Sequence, residues 1–88
     1  MRIKRSHNLG IEEARRRADL IAADLAGRFD LRSRWEGDRL HVRGSGVDGW
    51  LVVEQSSVEL RVRLGLALKL LEGPIHAEIH RAMAEHLA

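Results

Sequence analysis

His76 and His80 have the spacing of a metal-chelating pair, because residues four apart on a helix lie on the same face. Glu72, one turn earlier, could supply a third ligand. However, Ala77 stands where the zinc-peptidase pattern HExxH requires a glutamate, and Gly73-Pro74 separates Glu72 from the histidines. We interpret the two histidines as a solvated helix edge, so the sequence predicts no metal site.

The segment from Gly44 to Gly49 matches the dinucleotide-binding pattern GxGxxG. In such a site the glycines lead into a helix, whose N-terminus holds the pyrophosphate. Here the strand-like run Trp50-Leu51-Val52-Val53 follows instead. We interpret these glycines as hairpin residues, and the sequence predicts no nucleotide cofactor.

Serine and histidine side chains give little support to a hydrolase. Ser6-His7 and Ser45 lack a nucleophile elbow, and no residue is placed as an oxyanion donor or as the orienting member of a triad. We expect a protein that is not an enzyme. A hydrolase or other enzyme would need a pocket that the sequence does not reveal.

Trp50 and the arginines near it are the residues best suited to binding a partner. An aromatic ring beside arginines can stack on a nucleic-acid base while the guanidinium groups contact phosphates, and it can also contact an apolar partner. The arginine stems can equally cover the indole without any ligand. Whether the indole is free to contact a partner depends on the face of the sheet on which these side chains lie.

The stretch from Leu31 to Leu64 predicts four strands joined by the two-residue loops Gly37-Asp38, Ser45-Gly46 and Gln55-Ser56. Counting outward from each loop divides the opposed residues into two sets, because opposed side chains point to the same side of the sheet. One set is apolar and the other is rich in arginine. A one-residue slip in any hairpin would put arginines into the core, so the three loops support one register.

Two apolar helical stripes complete the fold. Residues 1–6 read as a strand, 11–29 as a helix, 66–71 as an apolar helical turn, and 74–87 as a helix that begins at Gly73-Pro74. Each helix has one apolar side, and the sheet offers one apolar face. The sequence therefore predicts one α+β domain over residues 1–88, a two-layer sandwich with an antiparallel sheet in the order β-α-β-β-β-β-α and both helices on one face.

The predicted register places a candidate partner-binding set on the face opposite the helices. Trp50 and Val52 supply its apolar centre, and the polar members are His41, Arg34, Arg39, Arg43, Arg61 and Arg63. The same exposed indole could also form a homodimer interface.

Arg5, His7 and Arg15 form a second candidate cluster, since a strand end and the neighbouring first helical turns could bring them together. We interpret them as a network that caps the helix and the turn, with a ligand site as the alternative.

Composition narrows the class of protein. The formal net charge is only +2, so local basic patches matter more than the total charge. The lack of cysteine excludes disulfides, thiolate metal sites and cysteine nucleophiles. We expect neither a membrane span nor a signal peptide, because no apolar run is long enough and residues 1–5 lead into polar Ser6-His7-Asn8. We therefore expect a soluble, cytoplasmic protein.

The whole chain also resembles a known bacterial family, the polyhydroxyalkanoic acid system proteins, which are associated with storage-polyester granule genes. The resemblance is carried, in chain order, by Arg5-Ser6-His7-Asn8-Leu9-Gly10, Ala14-Arg15, Trp35-Glu36-Gly37-Asp38-Arg39-Leu40, Gly46-Val47-Asp48-Gly49, Leu64-Gly65, Ile75 and Ile79. It implies a cytoplasmic protein linked to polyhydroxyalkanoate metabolism, and it offers no catalytic residues to transfer.

Together, the resemblance and the exposed Trp50 region predict a non-enzymatic accessory protein of the polyhydroxyalkanoate storage system. Its expected partner is a granule surface or a granule-associated protein. The alternative is a regulator that binds nucleic acid through the arginine-rich sheet face. No cofactor is expected for either function.

Overall fold

A five-stranded antiparallel sheet with the strand order β1-β5-β4-β3-β2 forms one layer of the computed structural model, which describes all residues from Met1 to Ala88. The helices form the other layer, so the α+β class and the two-layer arrangement are confirmed. The elements are β1 (Arg2–Ser6), α1 (Gly10–Phe29), β2 (Arg32–Glu36), β3 (Arg39–Gly44), β4 (Val47–Val53), β5 (Ser57–Leu64), α2 (Leu66–Lys69) and α3 (Glu72–His86).

The register predicted from the three loops is confirmed. Glu36 is opposite Arg39, Gly44 is opposite Val47, and Val53 is opposite Val58. Gly37 and Gly46 have φ values of +61° and +77°, a left-handed conformation that glycine adopts without strain. The GxGxxG segment is therefore a β-hairpin, as the sequence predicted.

The face of the sheet that carries Leu40, Leu51 and Leu60, here called the inner face, is covered by α1 and α3. The predicted stripes of both helices supply the other half of the core. The large side chains that are almost wholly buried are Ile21, Leu40, Leu51, Met83 and Val58. Burial of this apolar surface is the main force that holds the helical layer to the sheet.

Edge strand β2 is the least covered part of the inner face, because α1 rests on β3 and β4. Ser33 is exposed there and Trp35 is half-buried. The indole Nε1 of Trp35 donates to Asp19 Oδ1 (2.9 Å), and the Arg15 guanidinium lies 4.1 Å from the ring centroid. Polar side chains of α1 therefore close this edge of the core.

The segment after β5 contains one more helix than the predicted order. Residues Leu66–Lys69 form the short helix α2, and α3 begins at Glu72, so that Pro74 lies in its first turn. Proline is accepted there because the first backbone N–H groups of a helix have no intrahelical acceptor.

None of these helices combines the length and the apolar character that crossing a membrane requires.

Candidate functional site: the outer face of the sheet

The face opposite the helices, here called the outer face, is defined by alternate residues of all five strands. Its central positions are His41, Trp50 and Arg61, which are opposed across β3, β4 and β5. Its basic residues are Arg2, Lys4, Arg32, Arg34, Arg39, Arg43, Arg61 and Arg63, and its acidic residues are Glu36, Asp48 and Glu59. Cations therefore dominate a sheet face that no helix covers.

Trp50 lies at the centre of this face in a stack with His41. The two ring centroids are 4.1 Å apart with an angle of 12° between the planes, and the Arg39 guanidinium lies 5.3 Å from the indole. His41 Nε2 donates to Asp48 Oδ1 (2.7 Å), which fixes the imidazole plane. Trp50 and its neighbour Val52 are both half-buried, so the indole presents only part of its surface.

Glu59 is buried on the outer face although it is charged, with only 7% of its surface exposed. The Arg2 guanidinium donates to one carboxylate oxygen (2.9 Å) and Arg61 Nε donates to the other. The hydrogen bond from Arg61, followed by that from Arg2, lowers the pKa of Glu59. Arg2, Glu59 and Arg61 therefore form a triad that holds β1 and β5 together on the outer face. The triad uses one of the three acidic residues of that face.

Five other basic residues of the outer face form no ion pair: Lys4, Arg32, Arg34, Arg39 and Arg63. The paired ones are Arg2 and Arg61 with Glu59, and Arg43 at 3.8 Å from Asp48. Arg32 is directly opposite Arg43, an arrangement that repels because like charges face each other across two strands. A polar groove lined by Arg32, Arg34, His41 and Arg43 runs along this edge. An anion in the groove would relieve the repulsion.

The structure brings the whole predicted partner-binding set onto the outer face. Trp50, Val52 and His41 are half-buried near its centre, and the five arginines around them are exposed. Their role in binding stays a prediction.

The second predicted cluster is divided between two turns. His7 is buried, accepts from the Leu9 N–H through Nδ1 (3.1 Å), and donates from Nε2 to the Glu54 carbonyl (3.2 Å). Arg15 donates to the Gly37 carbonyl (2.7 Å) and to Asp38 (2.8 Å). Arg5 lies on the inner face opposite Val58 and is half-buried. Hydrogen bonds join His7 and Arg15 to separate loops and not to each other, an arrangement that stabilises turns.

Sequence reasoning missed an ion-pair network between α1 and α3. Arg81 binds Asp24 (2.9 Å) and Glu85 (2.7 Å), and His86 donates to Asp24 (2.9 Å). The bonds from Arg81 and then His86 lower the pKa of Asp24 to about 2. Asp24, Glu85 and His86 have the ligand types of a metal site, but the guanidinium occupies the position next to both carboxylates. The network depends on how the two helices pack, which no local pattern reveals.

Sequence reasoning also treated residues 66–71 as an ordinary apolar turn. In the structure Leu66, Leu70 and Leu71 are exposed, and only Leu68 packs against the core. A signal was present in the sequence, because leucines at 64, 66, 68, 70 and 71 point in too many directions to be buried together.

The histidine pair of α3 lies outside any pocket. His76 and His80 are both exposed, with ring centroids 6.3 Å apart. The enclosed apolar space between the helices and the sheet is ≈ 30 Å³ and is lined by side chains such as Leu25, Phe29 and Leu51. A cavity of this size holds about one water molecule, well below the roughly 300 Å³ of a small-molecule site.

Comparison with known protein families gives a match over nearly the whole chain. A family model described as "Putative polyhydroxyalkanoic acid system protein (PHA_gran_rgn)" matches residues 1–87. No curated protein and no solved structure is significantly similar to the chain. The matched region includes every strand of the outer face and both long helices. The chain therefore belongs to the polyhydroxyalkanoic acid system protein family.

Proposed function

We propose that this protein is a non-enzymatic, cytoplasmic accessory protein of the bacterial polyhydroxyalkanoate storage system that binds the granule surface or a granule-associated protein. Membership of the family supports the link to the storage system. The observation that carries the binding role is the outer face, which no helix covers and on which Trp50 lies among exposed arginines.

The layout of the outer face resembles the contact patch of a protein interface. Trp50 and Val52 form a half-buried apolar centre, and Arg34, Arg39 and Arg63 lie around it as a polar rim. Tryptophan and arginine are the residues that most often carry binding energy in such patches. We therefore assign the contact to Trp50 and Val52, with the arginines as surrounding polar contacts.

Two observations support a role without catalysis. The enclosed space of ≈ 30 Å³ is too small for a substrate, and its lining is almost entirely hydrophobic. His7 is used by the turns, His76 and His80 lie exposed on α3, and none of these three histidines lines a pocket.

Co-sedimentation of the purified protein with native polyester granules at moderate salt tests the proposal. We expect the wild type to bind and Trp50→Ala to bind at least about tenfold more weakly, because a central aromatic contact contributes about 2 kcal/mol or more. Trp35→Ala is the matched control, since Trp35 lies on the inner face. Thermal unfolding of both variants checks that each is folded.

The outcomes separate the function from the site. No sedimentation of the wild type with granules would refute the binding role. Equal sedimentation of wild type and Trp50→Ala would refute the site while leaving the role intact.

The alternative function, a nucleic-acid-binding regulator, is favoured by one specific feature, the groove lined by Arg32, Arg34, His41 and Arg43. Phosphates would neutralise the opposed Arg32 and Arg43, and bases could stack against the Trp50 region.

Salt dependence of binding to single-stranded DNA and RNA tests this alternative. Affinity should fall steeply with salt, and Arg34→Ala should reduce the logarithmic slope by about one. Arg16→Ala is the matched control, because Arg16 is exposed on α1 and bound only to Glu13. Weak binding that does not respond to salt would exclude a nucleic-acid function.

A further inference from the structure

The segment that connects β5 to α3 exposes three leucines in six residues. Leu66 is 86% exposed, Leu70 is 89% exposed and Leu71 is 52% exposed. We call these three residues the leucine tip. Single exposed leucines are common on protein surfaces, but three within six residues concentrate apolar surface in one short segment, as interaction sites do.

The leucine tip belongs to an ordered segment. The Gly65 N–H donates to the Gly46 carbonyl (2.8 Å), which ties the start of the segment to the β3–β4 turn. The Leu68 and Lys69 N–H groups donate to the Gly65 carbonyl at 3.0 and 3.1 Å, and the Leu71 N–H donates to the Leu68 carbonyl at 2.9 Å. Leu68 alone packs against the core. The backbone therefore holds the leucine tip outward.

Basic residues lie close to the leucine tip along the chain. Lys69 is exposed between Leu66 and Leu70, and Arg63 lines one surface groove together with Lys69 and Glu72. Exposed leucines with lysine and arginine at their border are typical of segments that lie in the boundary of an anionic membrane, where the leucines enter the acyl region and the cations contact headgroups.

The small size of the leucine tip favours a lipid surface over a protein partner. Three leucine side chains cannot supply the roughly 800 Å² that each partner of a stable protein complex buries. Their exposed chain neighbours Lys69 and Glu72 are charged and add no apolar area. Shallow insertion into a fluid apolar layer needs no such area and no complementary groove.

We propose that the leucine tip is a lipid-insertion site, in which Leu66, Leu70 and Leu71 enter an anionic lipid surface while Lys69 and Arg63 remain at the headgroups. The proposal stands on residues 63–72 and is independent of any contact made by Trp50.

The test is sedimentation of the full chain with vesicles of phosphatidylcholine mixed equally with phosphatidylglycerol. The double variant Leu66→Ser/Leu70→Ser should lose at least about tenfold in its partition coefficient, since each exposed leucine contributes apolar surface to the bound state. Leu20→Ser is the matched control, because Leu20 is a half-exposed leucine on α1. The control should bind like the wild type.

Binding to vesicles of phosphatidylcholine alone should be weaker, because the cations then have no anionic headgroups to contact. Single Leu66→Ser and Leu70→Ser variants with wild-type unfolding temperatures provide the same comparison if the double variant does not fold.

Any of three results would overturn the proposal. The first is that the wild type does not bind the mixed vesicles, and the second is that the leucine variants bind them as well as the wild type does. The third is that the protein binds lipid-free polyester particles through the leucine tip but does not bind vesicles. Failure here leaves granule binding through the outer face untouched, because that role is measured with Trp50→Ala on native granules.

Discussion

The two faces of the sheet are built from the same strands but are stabilised in different ways. Leu51 and Trp50 are neighbours in β4, yet Leu51 is wholly buried under the helices while Trp50 stacks on His41 on the uncovered side. The inner face is held by apolar burial, which needs no particular pairing. The outer face is held by specific contacts, such as those of Glu59 with Arg2 and Arg61.

This difference indicates where sequence change is tolerated. Removing an inner side chain leaves a cavity in a close-packed layer, whereas most outer side chains can rearrange in solvent. Residues of the outer face can therefore be suited to binding a partner with little loss of unfolding free energy. Three substitutions test this division, and a fourth tests the ion-pair network between α1 and α3.

The largest effect is expected for Leu51→Ala on the inner face. The variant should lose about 2–5 kcal/mol of unfolding free energy, because Leu51 is wholly buried between β3, β5 and the helical layer. Denaturant unfolding followed by circular dichroism measures the loss. A change below about 1 kcal/mol would show that the inner face is not the principal source of stability.

A smaller loss, about 1–3 kcal/mol, is expected for Gly49→Ala. An added Cβ would lie 2.8 Å from the Arg61 carbonyl oxygen and 3.2 Å from a Val62 methyl, so the neighbouring strand must shift. Gly27→Ala is the control, because nothing lies within 4 Å of that position on α1. The control should gain up to about 1 kcal/mol, since alanine is the better helix former. Equal stability of both variants would contradict the close approach of β4 and β5.

On the outer face, Trp50→Ala should cost about 1–2 kcal/mol, because it removes an aromatic pair and the burial of part of the indole. A double-mutant cycle with His41→Ala isolates the coupling between the stacked rings. A loss as large as that of Leu51→Ala would remove the distinction between the two faces.

The smallest effect is expected for Asp24→Asn, and it is present at neutral pH and disappears in acid. The pKa of Asp24 is about 2 in the folded protein, against about 3.9 for an unperturbed aspartate. Asp24 therefore stabilises the fold above pH 4, and that contribution is lost as the pH falls through 2. Unfolding temperatures of the wild type and Asp24→Asn should differ at neutral pH and converge in acid. Glu54→Gln is the control, since Glu54 is exposed and forms no ion pair. A difference that persists unchanged at pH 2 would contradict the assignment.

The register of the sheet could be predicted from sequence because it depends on local features. Alternation of apolar and charged residues between Arg32 and Leu64 sets the two faces, and glycines at 37 and 46 mark two turns. The shared face of Trp50 and the arginines followed directly from that register. The stripes of α1 and α3 were equally local.

Features that depend on how the layers pack could not be predicted. Ser33 alternates with the apolar set but is exposed, because α1 does not extend over β2. Asp24 and Arg81 are 57 residues apart in the chain and meet only when α1 packs against α3. The spacing of the leucines at 64, 66, 68, 70 and 71 indicates that they are not all buried, but which of them are exposed depends on the orientation of α2.

The position of β1 affects the order in which the molecule assembles. Strands β2 to β5 are a chain of adjacent hairpins, whereas Ile3 of β1 must find Leu60 of β5 across most of the sequence. Closing so long a loop costs more chain entropy than forming a hairpin. We expect the meander to form first and β1 to dock last, so that β1 is the strand that opens most readily in the native state. Backbone amides of β1 that bond to β5 should then exchange with solvent sooner than those between β3 and β4.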